Sequence, residues 1–543
     1  MIENILNLKE INKSSDIEYS FSFSKIDGVH IQSPSLIQVK DKDTRTRLFN
    51  TLEMKLTNNK YIKNIYLNDK GFIDIKLDLY EILNFLKMSK SDLRKLVEIN
   101  QPKNYILDYG GPNIGKSMHV GHLRPLNIGR ALYNIHSYSG HKCTSDIHLG
   151  DWGIPISQII TYCYEKEIEI SRVTIQEIQK IYPKASKLYK DDEEFKKNVG
   201  KNLIELNKKD GEIFEDWKYL SNLTVTDTKS LLKKLNHQFD LFYGESDVVN
   251  LIPKMIESLE KEGTVKRDDG ALISNESLEP PVLILKSDNS YLYMTTDLAT
   301  VLDREKNLFP DVYLYIVDSR QSDHFRQLFS TVKYFGYSNA EMEHIGFGTI
   351  NDSNGQPFKT RQGEVYPLEQ LWKEIYLILL EKNTEETAKI LTNSVLTFSD
   401  LLSDRKSNYK FDIKKFTSVE GKTAIYLQYT RVRIISLLKN FKSINYSNNT
   451  SNEDLFDSEI NLILGLIRFG DIFNRSKLQN EPHHLAEYLY EICQNFNSFY
   501  REVKIIDDSN INLQNRRINL LLIVLQIIDT IFNLLGIEPV DEM

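Results

Sequence analysis

The apolar positions change period along the chain, and each change predicts an element. Near residues 48–56 they recur at helical spacing and along 72–77 they fall in a strand-like run, which predicts a small α+β domain at the start. Tyr105-Ile106-Leu107-Asp108-Tyr109 is a short β-prone run that ends in Gly110-Gly111-Pro112-Asn113, a strand stopping at a turn. Leu123, Ile128, Ala131, Leu132 and Ile135 then recur as one face of a helix, and after Gly140 a second strand-like run, 143–149, stops at Gly150. Strand, helix and strand in this order predict a βαβ unit and a parallel sheet with its sites at the strand C-terminal ends. Residues 157–238 turn helical and highly charged and read as an insertion between two halves of the sheet domain. Strand patterns return at 282–285 and 312–317, and amphipathic helices follow at 425–438, 485–500 and 518–535, with a polar linker at 445–455. The expected division is 1–98, a small α+β domain; 99–384, a parallel-sheet domain with the insertion at 157–238; and 385–543, a helical domain. The fold class is multidomain α/β plus all-α.

Composition narrows the chemistry. A formal charge of −8 over 543 residues excludes a protein that holds nucleic acid by bulk positive charge, so any RNA site must be local. Cys143, Cys163 and Cys493 are far apart and form no CxxC, which argues against a disulfide framework or a cysteine zinc site; a reducing cytoplasm is expected and no resident metal. The N-terminal residues lack an apolar run, and 520–535 is broken by Gln526 and Asp529 and reads as too short for a bilayer, so no membrane contact is expected.

The densest chemistry lies in Asn113-Ile114-Gly115-Lys116-Ser117-Met118-His119-Val120-Gly121-His122-Leu123-Arg124. A strand end, a Gly-containing turn and a helix start turn backbone N–H groups and the positive helix end toward an anion. His119 and His122 are three apart and can project to one side, Gly121 leaves room for a ligand, and Lys116 adds a mobile positive charge. Each histidine alone is more simply a capping or core residue; HxGH between a strand and a helix is the unusual feature.

This pattern resembles the HIGH signature of class I aminoacyl-tRNA synthetases, the arginyl enzymes in particular. His148-Leu149-Gly150-Asp151-Trp152-Gly153, Phe242-Tyr243-Gly244-Glu245-Ser246, Tyr293-Met294-Thr295-Thr296-Asp297 and Asp318-Ser319-Arg320-Gln321 match that family in order and spacing. So do Tyr426-Leu427-Gln428-Tyr429 and the ending Leu534-Leu535-Gly536-Ile537. The resemblance implies a Rossmann-like catalytic domain, an anticodon-reading C-terminal bundle, and formation of arginyl-adenylate from ATP and L-arginine before transfer to tRNA(Arg), with Mg²⁺ accompanying ATP.

Roles follow by the same resemblance. Gly115, His119, Gly121, His122 and Lys359 are expected at ATP, with Lys116, His119, His122, Lys359 and Arg361 as catalytic groups. Glu245 and Asp297 suit a guanidinium, which is always charged and carries five N–H donors. Tyr293 would wall that pocket, and Asn113 and Gln321 would hold the α-amino and carboxylate end. Asp151 and Trp152 are expected to shape the pocket. Tyr426, Gln428, Tyr429, Arg431 and Arg433 mix aromatics with cations and are the expected tRNA contacts. Two departures stand out. The KMSKS motif is missing after the sheet, where Gly355-Gln356-Pro357-Phe358-Lys359-Thr360-Arg361-Gln362-Gly363 stands instead, while Lys87-Met88-Ser89-Lys90-Ser91 precedes HxGH and reads as coincidence. The N-terminal domain lacks the family's recognisable motif. A monomer is expected, with no DNA partner. The rival readings are a small-molecule nucleotidylyltransferase, a non-catalytic RNA-binding paralogue, and a catalytic paralogue that arginylates another acceptor.

Overall fold

Four short strands pair in parallel, the two central ones rich in aliphatic and aromatic residues and the two edge ones polar. In the computed structural model they are β1 (Asn104–Tyr109), β2 (Lys142–Asp146), β3 (Val312–Ile316) and β4 (Glu341–His344), in the order β4-β3-β1-β2. Register runs from Tyr105 opposite Val312 on one side of β1 and opposite Cys143 on the other. Every residue of β3 is buried, as a strand covered on both faces requires. Helix α1 (Leu123–Tyr138) links β1 to β2, α2 (Tyr293–Leu308) precedes β3, and α3 (Ser322–Tyr334) links β3 to β4. The chain leaves β1 and β3 toward opposite edges, so their adjacent C-terminal ends form the crevice where such sheets bind ligands. The structure describes residues 2–543 except 25, 27, 90–91, 100, 276–277, 359–365, 440–454 and 506–509, and the side chain of residue 4.

The chain divides into two compact units, residues 100–417 and residues 1–99 with 418–543. In the first, the insertion is four helices, Ile154–Glu165, Ile175–Asp191, Glu193–Asn207 and Glu212–Lys234. The strand expected at 282–285 is Leu283–Leu285, but it pairs in a separate three-stranded antiparallel sheet and not in the parallel one. Helix Glu385–Leu401, assigned from sequence to the C-terminal domain, belongs here as well. The reason is a buried ion pair. Arg124 Nε lies 3.1 Å from Asp400 Oδ1, with both side chains at 1% exposure or less, and Arg124 also donates to the Ser407 carbonyl at 2.7 Å. Asn127 adds a 3.1 Å bond to the same carboxylate. Arg124 and Asn127 are in α1, so the helix that follows HxGH is fastened to the end of this unit.

The second unit holds a four-stranded antiparallel sheet, ordered Ser22–Phe23, Ile31–Ser33, Ile73–Leu77, Ile62–Leu67, with helices Lys42–Leu56 and Leu79–Ser89. Lys87, Met88 and Ser89 finish the latter helix, an ordinary last turn and no phosphate loop. The remainder is a bundle of Ala424–Lys439, Asp457–Leu466, Phe469–Gln479, His483–Glu502 and Ile511–Leu535. The final helix corrects the sequence reading: at 25 residues it is long and apolar enough to cross a membrane, and 67% of its most apolar window is buried inside the fold. Gln526 and Asp529, which interrupt the apolar run, lie on its less buried side.

Removing one partner of the Arg124–Asp400 pair leaves a charge in the interior. Asp400→Ala should destabilise the unit by about 3–5 kcal/mol in denaturant unfolding, and the double variant R124M/D400L should recover most of that. A double variant as unstable as the single one contradicts this account.

Candidate active site

Just beyond β1 the chain is held by the strand ladder's continuation. Ile114 N–H donates to the Gly150 carbonyl at 3.0 Å and Gly150 N–H to the Pro112 carbonyl at 3.2 Å. A Cβ at Gly150 would lie 2.1 Å from Asn113 Oδ1, so only glycine lets the two segments meet with Asn113 in this position. Gly115 N–H reaches Thr224 Oγ1 at 3.2 Å and Ser117 Oγ lies 3.3 Å from an Asp227 oxygen, both on the insertion helix Glu212–Lys234. Lys116 Nζ lies over the Tyr182 ring, 4.3 Å from its centroid.

The HxGH residues form one tight turn. Gly121 N–H donates to His119 Nδ1 at 3.1 Å, and His119 N–H donates to His122 Nδ1 at 3.0 Å. His119 Nδ1 is therefore an acceptor; His122 Nδ1 also lies 3.3 Å from the His119 carbonyl, and the shorter contact from His119 N–H makes it an acceptor too, so each neutral ring is assigned its proton on Nε2. Burial, then the positive charge of Lys116, lowers the His119 pKa; burial, then His119, lowers that of His122 to about 3. The rings are neutral N–H donors near pH 7, with centroids 4.1 Å apart. The structure also refines the reading of Gly121: a Cβ there would sit 2.8 Å from His119 Cε1 and 2.9 Å from its Nδ1, so this glycine makes room for the His119 ring.

Residues 366–368 lie against this turn. Val120 N–H donates to the Tyr366 carbonyl at 3.0 Å and Leu368 N–H to the Met118 carbonyl at 3.1 Å. The Phe358 and Tyr366 rings are 5.7 Å apart, so Phe358 stands beside the residue that pairs with the turn. Lys359 and Arg361 themselves lie outside the described residues.

Across the crevice, residues 148–151 act as a spine. Leu149 N–H donates to the Tyr243 carbonyl at 2.8 Å and Glu245 N–H to the Leu149 carbonyl at 3.1 Å. Asp151 accepts from Ser246 N at 2.9 Å and Ser246 Oγ at 2.6 Å, and the Trp152 and Trp217 rings meet edge to face at 5.1 Å. Asp151 and Trp152 thus shape the wall that carries Glu245. That carboxyl is buried, and burial pushes its pKa to about 8, opposed by His148 and reinforced by Asp297. Tyr293 and Asp297 share the first turns of α2, and Asp297 meets His324 of α3, Oδ2 to Nε2 at 2.6 Å. Gln321, exposed, ends the short turn between β3 and α3. Asn113 and Gln321 thus follow adjacent strands and flank the crevice.

Sequence reasoning missed what lies beneath. Arg304, fully buried on α2, bonds Asp108 at 2.6 Å and Asp146 at 2.6 Å, the paired C-terminal residues of β1 and β2. The ligand-like trio Asp108, Asp146 and His148 already has this guanidinium as its cation. A carboxylate inside the otherwise apolar run 105–109 was the one available signal. His324 was missed for lack of any local pattern.

The bundle residues split into two groups. Gln428 and Arg431 are buried, which contradicts their assignment as tRNA contacts: Gln428 donates to the Glu538 carbonyl at 2.7 Å, and Arg431 bonds Asp529 at 2.5 Å and the Val540 carbonyl at 2.7 Å. Both point inward and fasten the chain's end. Tyr426, Tyr429 and Arg433 occupy another face, with Arg433 stacked 4.8 Å from the Tyr429 ring and 5.0 Å from the Tyr500 ring. Asn497 joins Arg433 Nη1, at 2.6 Å, to the Tyr426 hydroxyl, at 2.9 Å.

Nitrogen-15 NMR at pH 7 should find both HxGH rings as Nε2–H tautomers. Because the folded pKa is depressed, His122 should stay neutral as pH falls to about 4. An imidazolium signal from His122 at pH 6 contradicts the geometry.

Family models match two stretches: tRNA synthetases class I (R), catalytic domain, over residues 87–413, and the DALR anticodon binding domain over 427–543. The arginine–tRNA ligase of Agathobacter rectalis is 34% identical over 517 residues, 87% of each chain. That of Alkaliphilus oremlandii is 33% identical over 536 residues, 92% of this chain and 91% of the relative. The crystal structure of arginyl-tRNA synthetase from Plasmodium falciparum superposes with a TM-score of 0.80 at 24% identity, covering 100% of this chain and 98% of that one. With its crevice, its HxGH turn and matches of this extent, the chain belongs to the arginyl-tRNA synthetase family of class I aminoacyl-tRNA synthetases.

Proposed function

We propose that the chain joins L-arginine to ATP as arginyl-adenylate at this crevice and then transfers the arginyl group to the terminal ribose of tRNA(Arg). The observation that carries this reading is the crevice itself, with two neutral N–H donors on one side and two carboxyl groups on the other. The arginine carboxylate attacks the α-phosphorus in line, a P–O bond forms as the bond to pyrophosphate breaks, and no covalent enzyme intermediate is needed. Catalysis is then positioning and charge stabilisation.

His119 and His122 donate through Nε2–H to phosphate oxygens without adding charge. The positive charge comes from Lys116 and from Lys359 and Arg361. Magnesium would accompany ATP and supply part of the charge that offsets its phosphates. Glu245 and Asp297 receive the guanidinium, Tyr293 walls it, and Asn113 and Gln321 hold the α-amino and carboxylate end. Tyr426, Tyr429 and Arg433 offer stacking faces and a cation to unpaired bases. A monomer is the expected state, and three free cysteines suit a reducing cytoplasm.

Asp297→Asn should raise the Michaelis constant for arginine by about 10²-fold or more while that for ATP changes little, since a buried guanidinium loses its partner. An unchanged arginine constant removes Asp297 from the pocket. On the bundle, Arg433→Ala should weaken tRNA binding about tenfold at unchanged Tm, whereas Arg431→Ala should lower Tm. Equal effects of the two substitutions on tRNA binding and on Tm contradict the assignment of faces.

A further inference from the structure

The acids expected to bind arginine are not idle in the empty pocket. Asp297 Oδ2 lies 2.6 Å from His324 Nε2, and the two side chains are 29% and 28% exposed, so a ligand and solvent can both reach the pair. His324 stands in the first turn of α3 and Asp297 in the second turn of α2, so the contact bridges two helices that both open on the crevice. Other groups feel the same carboxylate: Glu245 from the short helix Glu245–Val248, Tyr293 on α2 and Tyr315 on β3. His148 and Asp151, from the spine, act on Glu245. The hydrogen bond that His324 donates to Asp297 raises the His324 pKa above its ordinary value against the effect of burial, and Glu245, at about 8, is mainly protonated at neutral pH. An arginine side chain cannot give up its own proton. A second full cation beside imidazolium and a neutral Glu245 would face a pocket with no spare negative charge.

Resting on the arginine pocket proposed above, we infer that His324 serves as the stand-in cation of Asp297 in the empty enzyme and gives up its proton to solvent when the substrate guanidinium arrives. Once neutral, the ring still holds the carboxylate through Nε2–H, which makes His324 a positioning residue. The proton leaves to buffer and no other bond changes. The sign follows: acid favours the empty, imidazolium form, so arginine affinity falls as pH drops through the raised His324 pKa. Glu245 adds a second proton of its own on deprotonation, and the two contributions separate by substitution.

The test is calorimetry of L-arginine binding to the full chain at pH 6.5, in phosphate and in Tris, where the difference in heat counts released protons. In a Glu245→Gln background, which silences that carboxyl, the count should be about one-half to one, and adding His324→Gln should bring it close to zero. A count unchanged by His324→Gln overturns the inference, even if affinity falls, because a purely structural histidine would weaken binding without changing the count. Should His324→Gln fail to fold, NMR titration of His324 in the unsubstituted chain decides: its pKa should drop by at least one unit when arginine saturates the site, and a constant pKa overturns the inference. The underlying pocket has its own control. If Asp297→Ala binds arginine as tightly as the unsubstituted chain, the pocket assignment fails, and this inference with it.

Discussion

One buried guanidinium holds the site together from below. Arg304 has no exposed surface, and its 2.6 Å bonds to Asp108 and Asp146 join α2 to the ends of two neighbouring strands. Three charges in the interior are costly unless their geometry is good, and removing any one of them strands the others. The consequence is positional. β1 runs on into Asn113 and the HxGH loop, β2 runs on into the spine that supports Glu245, and α2 itself carries Tyr293 and Asp297. A single side chain therefore sets the spacing among the HxGH turn, the buried Glu245 carboxyl and the half-buried Asp297 carboxylate.

Above that clamp the labour divides between direction and charge. The two imidazoles have their Nδ1 atoms committed to backbone N–H groups, which leaves fixed, neutral Nε2–H donors. In the proposed reaction, neutral donors order phosphate oxygens at a half-buried turn without the desolvation cost of a second and third cation beside Lys116. There, Lys116, Lys359 and Arg361 supply the charge that grows as pyrophosphate departs. On the other wall the polarity is reversed: Glu245 is buried, which favours its protonated form, while Asp297 is partly open and has a histidine partner.

The sequence was readable where chemistry is local and opaque where it depends on distant segments meeting. A strand, a turn and HxGH within some twenty residues mark the crevice side, and the runs at 105–109, 143–149 and 312–317 mark three strands of the sheet, whereas Glu341–His344, half of it acidic, carries no such pattern and was missed. Arg124 and Asp400 are nearly three hundred positions apart, and neither carries a pattern that predicts the other. The same holds for Asp297 with His324 and for Arg304 with its two aspartates. Leu283–Leu285 has the composition of a sheet strand, and nothing in so short a run tells which sheet it joins. In Ala424–Lys439, Tyr426, Tyr429 and Arg433 follow one face and Gln428 and Arg431 the other. Polar residues stand on both faces of that helix, so its period alone did not separate contacts with RNA from anchors of the chain's end.

The central claim is that the crevice selects arginine by charge and passes it to tRNA. Its most direct measurement is aminoacylation of total tRNA by the full chain with each of the twenty amino acids in parallel. The account predicts ATP-dependent charging with arginine at least a hundredfold above any other, consistent with a site whose buried polar groups go unpaired with the wrong ligand. Charging with a different amino acid, or formation of arginyl-adenylate with no tRNA accepting it, would contradict it.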